Sequence, residues 1–326
     1  MKCINKAVIL ALISALFLTG CAKYDTTVSY DIYESSYQYN LAHRADTGEH
    51  RFFSTDICVS DTADVNADQA DYILSEGSGV FNVSKGSVLY QHNAYTKLYP
   101  ASTTKVLTAL CALKYGDLDK TVTVSELACD IPSDAASAKL QPGDQITIRQ
   151  LMYGLLLPSG NDAAIAIAEG VSGDYDTFIA LMNEEARSLG ATNSHFVNPN
   201  GLHDDDHYTT IYDMYLIFKE VIKYEELVNI MNTASFEAYY TDASGNAVSR
   251  TYETTNGYLK QNVKAPAENM TVIGGKTGTT FDAGYCLVLY SRNSRNEEII
   301  SIVFKADGRT NLYYLMTELL NIFGEA

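Results

Sequence analysis

Three short stretches of the chain carry residue types that could do chemistry. The first is Ser102-Thr103-Thr104-Lys105, set directly before the apolar run Val106, Leu107, Ala109, Leu110 and Leu113. That spacing predicts a helix beginning near Ser102, with Lys105 one turn further along on the same side. A serine hydroxyl becomes a nucleophile when a neighbouring base takes its proton. A lysine serves as that base if burial or nearby positive charge keeps its amine neutral. The free N–H groups and positive partial charge of a helix start favour a developing oxyanion beside it. Taken alone, the stretch reads as a capping serine followed by a solvated lysine.

The second stretch is Ser159-Gly160-Asn161, after Pro158, in a tight loop between two helical patterns. Alone it is a turn. The third is Gly274-Gly275-Lys276-Thr277-Gly278-Thr279-Thr280, within an apparent strand. An interior glycine weakens a strand unless another backbone or a ligand must come close. Lys276 supplies charge, and Thr277 and Thr279 supply hydroxyls. The plainer alternative is an edge strand protected by its lysine.

In this order the three resemble the motif set of serine β-lactamases and penicillin-binding proteins. Further stretches narrow the resemblance to the D-alanyl-D-alanine carboxypeptidases: Asn161-Asp162-Ala163-Ala164, Phe196-Val197-Asn198-Pro199-Asn200-Gly201-Leu202, His207-Tyr208-Thr209-Thr210 and Ala283-Gly284-Tyr285. It covers about residues 72 to 323. It implies Ser102 as nucleophile, Lys105 as its base, Ser159 as proton relay, Asn161 as the residue that holds the substrate amide and positions Lys105, and Lys276 as the cation that tunes Ser159 and helps bind the free carboxylate. Thr277, Gly278 and Thr279 would form the carboxylate-binding edge, with Arg309 as an extra cation. Backbone N–H groups of Ser102 and Thr279 would form the oxyanion hole. The implied substrate is a peptidoglycan stem peptide ending in D-Ala-D-Ala, with β-lactams as inhibitors and no cofactor. Alternatives on the same fold are a β-lactamase, a transpeptidase, or a non-catalytic wall-binding lipoprotein. Class A β-lactamases use a glutamate beyond the second motif to activate water, and no Glu occurs between Arg187 and Lys219.

These residues need elements to hold them. Ser78 to Phe81, Ser87 to His92, Thr271 to Thr279, Tyr285 to Ser291 and Ile299 to Lys305 read as five strands. Helical periodicity fills most of 103–232, with a short strand near Thr121, and returns from Asn311 to Phe323. The expectation is an α+β fold: a five-stranded antiparallel sheet from both ends of the chain, flanked by helices, with an all-helical lobe inserted.

The chain has 326 residues, 46% of them hydrophobic, and a formal net charge of -17. Such acidity argues against a nucleic-acid partner. Association with a membrane then needs an anchor. Lys2 and Lys6, the apolar run Ala7 to Leu18, and Leu18-Thr19-Gly20-Cys21 resemble a bacterial lipoprotein signal. The expected organisation is a leader at 1–20, a lipidated Cys21, a polar Tyr-rich tether over 21–70 and the catalytic domain over 71–326. The protein would be exported and lipid-anchored on the outer face of the bacterial cell membrane. Many members of the resembled family continue into a C-terminal domain and anchoring helix, whose place the N-terminal lipid would take. Cys58, Cys111, Cys129 and Cys286 show no zinc spacing and allow three pairings among which the sequence cannot choose. His203 and His207, amid Asp204 to Asp206, read as a structured loop and not as metal ligands.

Overall fold

The computed structural model describes residues 56–267 and 269–325. The leader, Cys21 and most of the tether fall outside them. Strands β1 (Gly77–Asn82) and β2 (Ser87–His92) form a hairpin. A 3₁₀ turn over Ala101–Thr104 leads into α1 (Lys105–Tyr115). Then come β3 (Thr121–Thr123), α2 (Glu126–Cys129), β4 (Gln145–Thr147), α3 (Ile148–Leu156), α4 (Asn161–Ser172), α5 (Tyr175–Ser188), α6 (Ile211–Val221) and α7 (Glu225–Met231). The chain continues through β5 (Ser235–Thr241), β6 (Ala247–Glu253), β7 (Thr271–Thr280), β8 (Gly284–Arg292), β9 (Glu298–Ala306) and α8 (Arg309–Phe323).

The main sheet runs β2-β1-β9-β8-β7, antiparallel throughout. Pairing of β1 with β9 joins the two ends of the domain, as the sequence pattern predicts. Side chains alternate across a strand. Val288 and Tyr290 on β8 therefore enter the core shared with the helical lobe, and Leu287 and Leu289 enter a second core under α8. Both faces are covered, which is why these strands read as near-continuous apolar runs.

Helix α1 is the axis of the lobe. It packs against α3, α4, α5 and α6, and Lys105 through Ala112 are all buried. A helix apolar all round belongs in a core.

Two regions differ from the pattern read in the sequence. The lobe also carries a second sheet, β3-β4-β5-β6, whose β5–β6 hairpin alternates exposed and covered residues and leaves Tyr239 on the exposed face. The hairpin is held to α3 by stacking of Phe236 on Tyr153, ring centroids 3.6 Å apart. The folded region also begins N-terminal to residue 71. Cys58 is buried and its N–H donates to the Tyr215 hydroxyl at 2.8 Å. Val65 pairs with Gln91 through two backbone hydrogen bonds, and Ala67, Ala70 and Leu74 pack under the sheet. Backbone pairing to the edge of β2, not a hydrophobic period, holds this segment, so its polar composition hid it.

Candidate active site

The first motif sits on the 3₁₀ turn ahead of α1. In 3₁₀ geometry residues three apart eclipse one another, so Lys105 lies over Ser102. Lys105 Nζ donates to Ser102 Oγ at 2.9 Å, to Asn161 Oδ1 at 2.8 Å and to the Asn200 carbonyl at 2.5 Å. The lysine is fully buried. Burial holds its amine well below the usual lysine range, repulsion from Lys276 adds to this, and attraction from Asp162 partly opposes it. Burial and the Lys276 charge therefore favour the neutral base that activation of Ser102 requires. In that form Nζ has two hydrogens, for Asn161 and the Asn200 carbonyl, and a lone pair for the Ser102 hydroxyl.

The loop bearing Asn200 lies directly against the turn. Gly201 has φ +81°, and a Cβ there would fall 1.9 Å from the Ala101 carbonyl oxygen. Asn200 was not singled out from the sequence because it acts through its backbone carbonyl. Its stretch, Phe196 to Leu202, counted toward the family resemblance, but nothing in it marked Asn200 itself beyond the turn composition of Asn198-Pro199-Asn200-Gly201.

The second motif bridges α3 and α4. Ser159 adopts φ 66°, in the left-handed region. Asn161 opens α4 and turns its amide oxygen to Lys105. Ser159 Oγ accepts a hydrogen bond from Lys276 Nζ at 2.9 Å.

The third motif lies on β7, the free edge of the main sheet. The sequence expectation of a close approach at its interior glycine is met at Gly278. A Cβ there would stand 2.9 Å from the Ser102 backbone nitrogen and 3.0 Å from the Pro100 carbonyl oxygen. Lys276 is 1% exposed, and burial lowers its amine to about 7. It also donates to the Thr277 carbonyl at 2.8 Å. Thr277 Oγ1 pairs with Thr255 Oγ1 at 2.6 Å, a partner the sequence gave no sign of. Thr279 Oγ1 donates to the Gly278 carbonyl at 2.7 Å.

Ser102, Ser159, Thr277, Gly278, Thr279 and Arg309 line one cleft of about 360 Å³. Arg309 opens α8, and its Nη2 lies 3.5 Å from Asn262 Oδ1. All three motifs and the distant arginine thus converge on one place.

The two histidines have other partners. His207 is buried, accepts the Val197 N–H at Nδ1 (3.1 Å) and pairs through Nε2 with Thr104 Oγ1 (2.8 Å). Thr104 Oγ1 gives its own proton to the Ala101 carbonyl, so the imidazole carries its hydrogen on Nε2. Burial pushes its pKa down to about 4. His203 lies 3.6 Å from Asp205 and 3.7 Å from Asp282. Among the described residues no group of three or more His, Cys, Asp or Glu is placed to hold a metal ion. The four cysteines among them are free thiols, with Cys111 and Cys286 buried as small hydrophobes.

A buried Ser–Lys pair, a second Ser–Lys pair beside it and an edge strand against the serine nitrogen make a site for acyl transfer through a serine ester. On this two-lobed α+β scaffold, that is the site of the penicillin-binding protein class. A family model described as D-alanyl-D-alanine carboxypeptidase matches residues 64–308, and the chain belongs to that family. It is 33% identical to D-alanyl-D-alanine carboxypeptidase DacF of Bacillus subtilis (strain 168) over 241 residues, 72% of this chain and 58% of the relative. It is 35% identical to D-alanyl-D-alanine carboxypeptidase DacC of Escherichia coli (strain K12) over 239 residues, 70% of this chain and 55% of the relative. The match thus spans a little over half the length of those two relatives. Among solved structures, the Streptomyces K15 DD-transpeptidase aligns with a TM-score of 0.71 at 30% identity, over 78% of this chain and 98% of that one.

Proposed function

We propose that this chain is a serine D-Ala-D-Ala carboxypeptidase that removes the terminal D-alanine from peptidoglycan stem peptides. The observation that carries the reading is the pairing of Ser102 with Lys105 and of Ser159 with Lys276, each at 2.9 Å, on one cleft. Neutral Lys105 takes the Ser102 proton as Oγ attacks the carbonyl between the two D-alanines. The backbone N–H groups of Ser102 and Thr279 receive the oxyanion. Ser159 passes a proton to the leaving amine, and Lys276 tunes that hydroxyl. Thr277, Thr279 and Arg309 hold the substrate carboxylate, and Asn161 holds its amide. The C–N bond breaks, D-alanine leaves, and water cleaves the Ser102 ester.

The test is mass spectrometry of a diacetylated tripeptide ending in D-Ala-D-Ala after incubation with the protein. Release of one D-alanine supports the reading, and an intact tripeptide rejects it. A fluorescent penicillin should label wild type and leave Ser102→Ala dark. A labelled Ser102→Ala would show that the nucleophile lies elsewhere. The DD-transpeptidase name of the Streptomyces K15 structure favours a second reading, in which an amine replaces water. Adding a glycine acceptor to the same assay separates the two by the mass of the product.

The export and anchoring reading rests on Leu18-Thr19-Gly20-Cys21. Cys21 carries the lipid on the outer face of the cell membrane, and two or three acyl chains hold firmly where one is marginal. Cys21→Ser should move the protein from the membrane fraction to the medium or wall wash. Full membrane retention of that variant would defeat the anchor.

A further inference from the structure

The carboxylate whose field reaches Lys105 belongs to Asp162, the residue after the second motif, and it is 1% exposed. Four donors converge on its two oxygens. Oδ1 accepts the N–H groups of Ala138 at 2.8 Å and Ala163 at 2.9 Å. Oδ2 accepts the Ser137 hydroxyl at 2.7 Å and the Leu140 N–H at 3.1 Å. Three of these come from an irregular segment, residues 136–140, that has no helix or sheet partner of its own. The same segment meets the motif a second time, where the Asn161 N–H donates to the Ala136 carbonyl at 2.9 Å. Ala136 forms a wall of the cleft that holds Ser102 and Ser159. The contact is close enough to fix the residue between them: a Cβ on Gly160 would lie 2.7 Å from Asp162 Oδ1 and 2.8 Å from the Ala138 nitrogen.

We infer that Asp162 is a positioning residue for the Ser102 chemistry, clamping the 136–140 segment onto the Ser159–Asn161 turn so that the cleft wall, the Ser159 hydroxyl and the Asn161 amide keep their places. Irregular backbone does not hold a position unless its polar groups are tied, and here one carboxylate ties two backbone N–H groups and the Ser137 hydroxyl. Two uncommon conformations flank the clamp, Lys139 at φ 62° and Ser159 at φ 66°. Such conformations persist where surrounding contacts over-determine them. The carboxylate has a second effect, on charge. The titratable groups facing Lys105 are Lys276 from β7, Asp162 from α4 and His207 from the loop before α6. Of these, Asp162 favours the ammonium form, so its loss makes Lys105 easier to deprotonate.

The inference rests on the acyl-enzyme reading and is tested by the rate of penicillin acylation across pH 5 to 10 in two variants. Ser137→Ala removes one tie and keeps the carboxylate. It should slow acylation severalfold and leave the pH profile in place. Asp162→Asn keeps the shape and removes the charge. It should slow acylation by about tenfold or more through misplacement and move the rising limb of the profile to lower pH. Profiles of both variants that superimpose on wild type would overturn the clamp. So would a slowed Asp162→Asn whose rising limb has not moved, since a merely structural defect gives that result. If Asp162→Asn does not fold, an unchanged acylation rate in Ser137→Ala is itself sufficient to reject the clamp. A wild-type protein that takes no label defeats the Ser102 reading and the clamp with it, whereas a labelled wild type with indifferent variants defeats the clamp alone.

Discussion

The two buried lysines of the cleft have the same chemistry and opposite assignments. Each donates to a serine hydroxyl at 2.9 Å, and each is at most 1% exposed. Lys105 stands on a helix packed by four others, meets three neutral acceptors and feels the second lysine. Lys276 stands on the edge strand of a sheet, and burial alone lowers its amine to about 7. Positive charge on Lys276 lowers the Lys105 amine further, so protonation of the sheet lysine favours a neutral lobe lysine. The lobe makes a base and the sheet makes a conditional cation. A substrate carboxylate beside Lys276 would raise its pKa and stabilise it as the cation.

The largest test removes the base. Lys105→Ala should cost acylation at least about 10³-fold, since a nucleophile and its base act as a unit. If the lobe lysine is the base, Lys276→Met should leave a measurable residue of acylation, on the order of 10²- to 10³-fold below wild type. Equal losses in both variants would erase the distinction between them. The second variant carries a further signature in stability. A lysine whose folded pKa is about 7 binds fewer protons folded than unfolded between pH 7 and the ordinary lysine value of 10.5. Wild-type stability should therefore rise with pH across that window, and the burial penalty is largest below it. Lys276→Met lacks the penalty, so at pH 7 it should melt a few degrees higher than wild type. A lower melting temperature would mean that the lysine is well compensated where it sits.

Next in size is His207, which braces the Ser102 turn from behind Lys105 through Thr104. Its pKa of about 4 lies below the ordinary 6.5, so the unfolded chain binds the extra proton first as pH falls. Stability should be lost between pH 6.5 and 4, by about 3 kcal/mol in full. His207→Gln can keep a donor and an acceptor, and should flatten that slope in melting curves taken across the window. An unchanged slope would place the acid sensitivity in other groups.

How much of this was legible in the letters follows from what carried each feature. The strands of the main sheet, α1 and α8 were visible because each buries a continuous apolar surface. Ser102, Lys105, Ser159, Asn161 and Lys276 stood out because their chemistry resides in side chains at fixed spacing. Asn200 did not, because it offers a backbone carbonyl that any residue possesses. Thr255 pairs with Thr277 across 22 residues of chain with no periodic signal between them. The β5–β6 hairpin alternates covered and exposed positions, but Tyr239 faces out and Arg250 falls on the covered side, which blurs the apolar–polar alternation of the letters. The segment from Cys58 to Ala70 is polar and was read as tether. Its attachment is backbone pairing and a few small apolar contacts, neither of which alters composition.

The smallest effect concerns a cation at the rim. Arg309 lines the cleft with Ser102 and Ser159, as Lys260 does, and stands exposed at the start of α8, its guanidinium 3.5 Å from Asn262. Its contribution to holding a carboxylate is therefore made in high dielectric, where a pair is weak and screened by salt. Arg309→Ala should raise KM for the D-Ala-D-Ala peptide by about two- to fivefold, with kcat nearly unchanged, as expected for uniform binding. Raising ionic strength should weaken wild type toward the variant and leave the variant itself almost flat. Lys276, enclosed and out of reach of mobile ions, should show no such dependence in its remaining contribution. A fall in kcat for Arg309→Ala, or a salt response that survives the substitution, would put the arginine with the buried lysines as part of the reacting machinery and not at its rim.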